Sequence, residues 1–409
     1  MSGASGALNE ELLVVDYLYG ILGLSFWGYV LATFLMVEMT ILGVTLYLHR
    51  DQCHRGLELH PAARHFFRFW NYLTTGMGTR SWVAVHRKHH ALCETEQDPH
   101  SPKILGLKKV LLEGAELYKA EAAKPETLEK YGRGCPDDWL ERNVYGRYTF
   151  GGIVLLVLLE LVLFGVPAII MIAVQMMAIP FLAAGVINGV GHHSGYRNFE
   201  CDDAATNIVP WGVLLGGEEL HNNHHAFPSS AKFSARRWEF DIGWLAIRTL
   251  QFFGLARVKK ILPRPIVSAK AGHVDLETVR AVIINRMHVL RDYTRTVTLP
   301  VFRKERAAAG AGAGALMRRA RKLLVRQPAL LDEKSRARLD QILDRNHALK
   351  TVHDFRESLR TLWAGANVSN DRLLADLKDW CARAEASGIQ ALEEFAQTLR
   401  GYSMAPIRV

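Results

Sequence analysis

Histidines recur at helical spacing in four short segments of this 409-residue chain. The segments GGEELHNNHHAFP, at 216–228, and HRKHH, at 86–90, both contain the pattern HxxHH. On a helix this pattern places imidazoles at positions i, i+3 and i+4, which share one face. The other two segments are HRDQCHR, at 49–55, and NGVGHH, at 188–193, where an asparagine and a histidine stand four residues apart. Two copies of HxxHH together with these spacings indicate metal ligands.

The number of donors indicates more than one metal ion. The residues at these spacings are His49, His54, His86, His89, His90, His192, His221, His224, His225 and Asn188. Imidazole suits zinc, copper, iron and nickel, and a single ion takes about four to six donors, so nine imidazoles predict two ions. Zinc has no redox chemistry, and the five cysteines stand singly without a CxxC pair, which argues against a thiolate zinc site. We therefore expect a pair of iron ions with a position left for dioxygen.

Long apolar stretches adjoin the histidine segments. Residues 153–187 contain no Lys or Arg and one acid, Glu160, and a Gly-Val-Pro turn at 165–167 divides them into two stretches that can each span a bilayer. Residues 12–48 are apolar apart from Asp16 and Glu38, and predict one span from about Phe26 to Leu48 with a shorter helix before it. Because His49 and His54 are five residues apart, we expect the helix to end near His49 and the chain to bring His54 round. We expect Glu38 and Glu160 to satisfy each other or to make helix-packing contacts.

The distribution of basic residues predicts an orientation. Residues 50–147 are rich in Lys and Arg, whereas the first 49 residues and the turn at 165–167 contain none. Since basic residues stay on the cytosolic side, the region after residue 50 and the region after residue 188 should face the cytosol. The predicted fold is all-α: an integral membrane bundle of three or four transmembrane helices with a cytosolic helical cap that carries the histidines.

The C-terminal part differs in charge. From residue 257 onward 29 Lys and Arg stand against 16 Asp and Glu, a net charge of +13, while the whole chain carries +9. We expect a membrane domain over 1–263, a helix and a basic Ala/Gly linker over 264–327, and a helical region without an assigned role over 328–409. The linker is either a solvated connector or a segment that adheres to anionic lipid head groups. The last helices weakly resemble those of some bacterial transposases, but no interleaving of aromatic and basic residues supports nucleic-acid binding.

The chain resembles the membrane-bound fatty acid desaturases, in the acyl-CoA delta-9 branch typified by stearoyl-CoA desaturase, and especially the bacterial members. The resemblance covers roughly residues 26–255. It rests on HRDQCHR at 49–55, WVAVHRKHH at 82–90, DPHSP at 98–102, NGVGH at 188–192, GYR at 195–197, GEELHNNHHAFP at 217–228 and WEFDIGW at 238–244. It implies O2-dependent desaturation of a saturated fatty acyl chain, with a cis double bond expected at the delta-9 position.

The same resemblance implies site residues and partners. It makes the nine histidines ligands of two iron ions and lets Asn188 reach one ion through a water molecule, with Glu218 and Asn223 as candidate hydrogen-bond partners that fix imidazole tautomers. It implies a bacterial inner-membrane enzyme whose site faces the cytoplasm, an acyl substrate carried on coenzyme A or phospholipid, and membrane lipid around it. No electron-transfer domain is visible in the C-terminal region, so a separate ferredoxin or cytochrome with an NAD(P)H reductase should supply electrons.

The sequence does not determine the position of the double bond or exclude two other functions. The animal enzymes carry a Thr-Trp pair before the asparagine of the last span, where this chain has Ala184 and Gly185, so the bend of the acyl tunnel and the position of the double bond are undetermined. The alternatives to desaturation are a membrane di-iron hydroxylase of alkanes or fatty acyl chains, and a non-catalytic membrane sensor of metal or lipid.

Overall fold

The computed structural model describes residues 18–268, 272–309, 314–363 and 369–404. The chain divides into two compact units. The N-terminal unit comprises the residues up to Arg197 together with Asp203–Leu262, and the C-terminal unit comprises Asn198–Asp202 together with the residues from Pro263 onward. In the described residues helices dominate and the strands are only two or three residues long, which agrees with the helical class predicted from the sequence.

The N-terminal unit contains ten α-helices, short π-helical and 3-10 segments, and two small pairs of strands within the described residues. The helices are α1 (Phe26–Gly43), α2 (Pro61–Thr75), α3 (Thr79–Leu92), α4 (Pro102–Leu105), α5 (Leu107–Ala122), α6 (Pro125–Tyr131), α7 (Gly151–Phe164), α8 (Ala168–Ile179), α9 (His221–Ala226) and α10 (Ile242–Phe252). Helices α1 and α8 continue in π-helical geometry over Val44–Cys53 and Pro180–Val190. The strand pairs are β1 (Leu57–Leu59) antiparallel to β4 (Ala256–Val258), and β2 (Trp211–Gly212) parallel to β3 (Phe240–Asp241).

Two helices of the described residues are long and apolar enough to cross a bilayer. Helix α1 with its continuation has 28 residues and α8 with its continuation has 23, and at about 1.5 Å per residue both exceed the ~30 Å of a hydrocarbon core. Helix α7 is apolar but has 14 residues. The predicted turn is present, because α7 ends at Phe164, Gly165 adopts a φ of 65°, and α8 begins at Ala168.

The acid in α7 makes a helix-packing contact. Glu160 Oε1 accepts a hydrogen bond of 2.8 Å from Gln175 Nε2 of α8, and both side chains are buried. The partner of Glu160 is therefore an amide on the neighbouring helix. This contact confirms the expected helix-packing role of Glu160.

A buried arginine fastens the end of the first helix to the segment that carries α9. Arg50 is 1% exposed and donates to both carboxylate oxygens of Asp241, at 3.0 and 3.3 Å. It also donates to the carbonyls of Gly216 and Ala231, at 3.0 and 2.9 Å, and its guanidinium lies over the ring of Phe233. Since a buried charge is tolerated only when it is paired and hydrogen-bonded, these contacts hold residues 216–241 beside His49.

The C-terminal unit is a helical bundle with its own core. Its helices are α11 (Leu276–Ile284), α12 (Arg286–Tyr293), α13 (Leu299–Ala308), α14 (Gly314–Val325), α15 (Glu333–Asp344), α16 (His347–Thr361), α17 (Asn370–Glu385) and α18 (Gln390–Arg400). Strand β5 (Ile266–Val267) pairs antiparallel with β6 (Tyr402–Ser403). The core surrounds the fully buried Trp380 and Tyr293, and buried Arg356 donates to the carbonyls of Leu324 and Val325 at the end of α14. The unit includes residues from both the predicted linker and the predicted C-terminal region.

Candidate metal centre

Five of the predicted histidines meet in a first cluster. It consists of His49, His54, His86, His90 and His224. The Nε2 atom of His224 lies 3.0 Å from that of His49 and 2.9 Å from that of His90. The Nε2 atom of His86 lies 3.1 Å from those of both His54 and His90. Ring nitrogens converge on one another here, which is the arrangement that a bound cation requires.

Four further histidines form a second cluster beside the first. The Nε2 atom of His192 lies 3.2 Å from that of His89 and 3.0 Å from that of His221. The ring of His225 lies 4.7 Å from the ring of His192 and 4.5 Å from that of His221. The rings of His90 and His225 stack at 4.3 Å and thus join the two clusters. All nine predicted histidines are therefore brought together in two adjacent groups.

The π-helical continuation of α1 accounts for the first pair. We expected the helix to end near His49 and the chain to bring His54 round, but the helix continues to Cys53. The backbone N–H of His54 donates to the carbonyl of His49 at 3.0 Å, an i to i+5 bond. In π-helical geometry residues five apart share a face, and the two rings accordingly lie 4.8 Å apart. The π-helical turn therefore lets two histidines five residues apart contribute to one metal site.

Each HxxHH motif divides its three rings between the clusters. On α3, His86 and His90 belong to the first cluster and His89 to the second. On α9, His224 belongs to the first cluster, whereas His221 and His225 adjoin the second. One helical turn thus spans two sites, so each motif contributes to both.

Carboxylates hold the outer nitrogens of four rings. His49 Nδ1 lies 2.6 Å from Glu218 Oε1, and Glu218 was among the predicted partners. Three further pairs, which the sequence interpretation missed, are His89 with Asp98 at 2.9 Å, His192 with Glu94 at 3.1 Å and His225 with Asp203 at 2.9 Å. A carboxylate on Nδ1 fixes the proton there and leaves Nε2 as the metal-binding atom.

Burial favours neutral rings in the site. It lowers the pKa of His54, His86, His90, His221, His224 and His225 well below the ordinary value, and neighbouring histidines lower it further. Burial also opposes protonation of His89, but the charge and hydrogen bond of Asp98 outweigh it and raise the pKa of His89. Because only the neutral ring can donate a lone pair to a cation, burial keeps the six histidines with a lowered pKa in the form that binds metal.

A comparison with protein families matches this arrangement. The fatty acid desaturase model matches residues 24–240, more than half of the chain, and includes all nine histidines. The chain belongs to the fatty acid desaturase family. The resemblance predicted from the histidine motifs is thereby confirmed.

Several named desaturases are similar to more than half of this chain. An icosanoyl-CoA 5-desaturase of Limnanthes douglasii is 33% identical over 232 residues, which are 54% of this chain and 62% of that protein, slightly less than two thirds of its length. An sn-1 stearoyl-lipid 9-desaturase of Synechocystis is 30% identical over 250 residues, 60% of this chain and 76% of that one. Delta-9 acyl-lipid desaturase 2 of Arabidopsis thaliana is 29% identical over 239 residues, 58% and 76% of the two chains.

A second model, described as a transposase, matches residues 276–405. This part of the chain corresponds to the helices of the C-terminal unit, for which the sequence indicated a weak resemblance of the same kind. The fatty acid desaturase model and the transposase model thus match different parts of the chain.

An apolar cavity opens beside the two histidine clusters. It encloses about 400 Å³. His49, His86 and His221 line one part of it together with Asn188. The rest of the lining is mostly apolar and comes mainly from α2, α3, the turn between them, α5, α7, and α8 with its continuation. It includes Met77, Trp82, Ile153, Met176, Ile179, Ala183, Ala184 and Ile187. An elongated apolar ligand can therefore reach the site.

Asn223, the other predicted hydrogen-bond partner, and three histidines outside the predicted ligand set lie in different environments. Asn223 lies in a buried network in which its amide donates to Glu239 at 2.9 Å and accepts from Asn207 at 3.2 Å, so it fixes α9. His60 and His193 are exposed. His100 is buried, and its ring lies 4.4 Å from the ring of His89.

One further residue of the site, Cys93, was missed. Its Sγ lies 3.8 Å from His89 Nε2. The signal that could have revealed it is its spacing of four residues from His89, because such residues share a helix face.

Proposed function

We propose that this protein introduces a cis double bond into a saturated fatty acyl chain in an O2-dependent reaction at a two-iron centre. The observation that carries the proposal is the apolar cavity whose wall includes His49, His86, His221 and Asn188. A ligand that fills this cavity has a hydrocarbon segment directly against the converging ring nitrogens. A bound pair of iron ions would supply an oxidant strong enough to take hydrogen from an unactivated methylene group.

The residues of the chain have separate tasks in this proposal. The nine histidines would hold the ions, with Asn188 reaching one of them through a water molecule. Glu218, Asp98, Glu94 and Asp203 orient four of the rings through Nδ1. The apolar lining excludes water and holds the acyl chain in a fixed position, which lowers the entropic cost of bringing one methylene pair to the centre.

The reaction also defines the partners. Removing two hydrogens while O2 is reduced to two waters consumes two additional electrons. We propose that a separate ferredoxin or cytochrome with an NAD(P)H reductase delivers them. The acyl carrier is coenzyme A or phospholipid, since relatives named as acyl-CoA desaturases and as acyl-lipid desaturases are both similar to this chain. The delta-9 position is supported by the names of the Synechocystis and Arabidopsis relatives.

We further propose that α1 and α8, each with its continuation, span a bacterial inner membrane with the histidines at its cytoplasmic face. The length of both helices supports this. The exposed apolar side chains of α7 and α8, including Val154, Leu158, Val162, Ile169 and Ile170, suit a lipid environment. The basic residues that flank the histidines support the cytoplasmic side.

Expression in a host without its own desaturase tests the function. Lipids extracted from cells with and without the chain are separated by class, and mass spectrometry locates double bonds. We expect new cis double bonds at one position, and the lipid class in which they first accumulate identifies the carrier. Hydroxylated chains instead of unsaturated ones would assign the protein to the hydroxylases, and unchanged lipids in cells whose chain is loaded with iron would favour a sensor.

A further inference from the structure

A sulfur atom lies among the nitrogens of the second cluster. Cys93 follows the last residue of α3, one helical turn after His89. Its Sγ is 3.8 Å from His89 Nε2 and 3.9 Å from His192 Nδ1. One donor atom each from His89, Cys93, His192 and His225 lies within 4.8 Å of the others. This group contains three imidazoles and one thiol.

A second observation indicates that the group binds an ion. His225 is 8% exposed, its Nδ1 is held by Asp203 at 2.9 Å, and its Nε2 has no hydrogen-bond partner. A buried ring nitrogen without a partner costs free energy, and a metal ion would satisfy it. The free nitrogen of His225 belongs to the same four-residue group as the sulfur of Cys93.

The distances suit a shared metal ion. With metal–nitrogen bonds of about 2.1 Å and metal–sulfur bonds of about 2.3 Å, a tetrahedral angle puts nitrogen and sulfur roughly 3.6 Å apart. The observed separation between Cys93 Sγ and His89 Nε2 is 3.8 Å. His192 Nδ1 is already occupied by Glu94, so His192 would bind through Nε2, which also faces His89 and His221.

We propose that the Cys93 thiolate is a ligand of the ion in the second cluster, which makes the two metal sites chemically different. The first cluster offers imidazoles only, whereas the second adds an anionic sulfur donor. The thiol releases its proton when it binds, and the negative charge stabilises the more oxidised state of that ion. The inference rests on the proposed two-metal centre and adds to it a donor of a different kind.

Cobalt spectroscopy on the purified full-length chain tests this ligand. Co2+ replaces iron, and a thiolate ligand produces a sulfur-to-cobalt charge-transfer band in the near ultraviolet. We expect the wild-type chain to show the band and Cys93→Ser to lose it while still binding cobalt in both clusters. Cys135→Ser is the matched control, because Cys135, like Cys93, is a partly buried cysteine. This variant should keep the band.

Alkylation of the wild-type chain gives a second measurement that does not depend on a variant. Cobalt should protect Cys93 from N-ethylmaleimide and leave the reaction of Cys135 unchanged, as read by peptide mass spectrometry. Two bound cobalt ions without a sulfur band, a band that persists in Cys93→Ser, or unprotected Cys93 would each overturn the inference and leave the proposed function standing. A chain that binds no cobalt at all would contradict the two-metal centre itself.

Discussion

His49 Nε2 lies 3.0 Å from His224 Nε2, although 175 positions separate the two residues in the chain. The contact joins the π-helical end of the first helix to α9. Glu218, three residues before α9, holds the other nitrogen of His49 at 2.6 Å. The segment 218–224 thus both supplies a donor to the first cluster and orients the ring opposite to it.

His224→Ala should abolish desaturation. His224 Nε2 contacts the Nε2 atoms of both His49 and His90, so its loss opens the centre of the first cluster. We expect less than one tenth of the wild-type unsaturated product and the loss of one metal ion per chain, with membrane insertion unchanged. Lipid analysis and metal content measure these effects. His193→Ala is the control, since His193 is exposed, and an active, fully loaded His224→Ala chain would remove His224 from the site.

Glu218→Gln should weaken metal binding in the first cluster. Removing a carboxylate behind a ligating imidazole typically costs about 10–100-fold in metal affinity, and Glu218 holds His49. Asp98→Asn is the matched variant for the second cluster, because Asp98 holds His89. Metal titration should show weaker binding at a different site in each of the two variants. If both variants weaken the same site, the assignment of the carboxylates to separate clusters is wrong.

Arg50→Ala should destabilise the N-terminal unit. It would leave the carboxylate of Asp241 buried without its partner, and breaking a buried pair in this way costs about 3–5 kcal/mol. Arg142→Ala breaks an ion pair whose side chains are both exposed, and because solvent screens such a pair, its loss should change the stability little. Thermal unfolding of the purified chains compares them. Equal unfolding temperatures for Arg50→Ala and Arg142→Ala would show that the buried pair does not stabilise the unit.

Ala184→Leu should shift the preference for acyl chain length or the position of the double bond. Ala184 lines the cavity, and its backbone lies so close to α5 that a Cβ on Gly114 would come within 2.8 Å of it. A larger side chain at this position would therefore narrow the cavity that Ala184 lines. Val174→Leu, at a 42% exposed position of α8, is the control. An unchanged product from a fully metal-loaded Ala184→Leu chain would place the acyl chain outside this cavity.

The sequence indicated the nine histidines that the structure brings together, but neither their distribution between the clusters nor the thiol of Cys93. Spacing on one helix depends only on local geometry, so His86, His89 and His90 could be assigned to one face. Which of them meet His49 or His192 depends on how the helices pack, and the sequence does not encode that locally. The sequence also did not predict the π-helical continuation. The expected end of the helix near His49 was based on ideal α-helical geometry.

Partners far apart in the chain were the hardest to predict. Arg50 and Asp241 are 191 positions apart, and neither residue stands out in its own segment. Asp98, Glu94 and Asp203 hold the Nδ1 atoms of histidines of the second cluster. These pairs could not be predicted, because they depend on how α3, α8 and the loop at 203 pack together. Glu218 could be predicted because it lies in the same motif as His221.

The metal content of the active, purified chain tests the central claim most directly. Iron is measured per chain by plasma mass spectrometry and by Mössbauer spectroscopy, on the same preparation that is assayed for desaturation. Two iron ions per chain in distinct environments, with activity proportional to their occupancy, is the predicted result. Full desaturation by a chain that carries one iron ion or none would contradict the account.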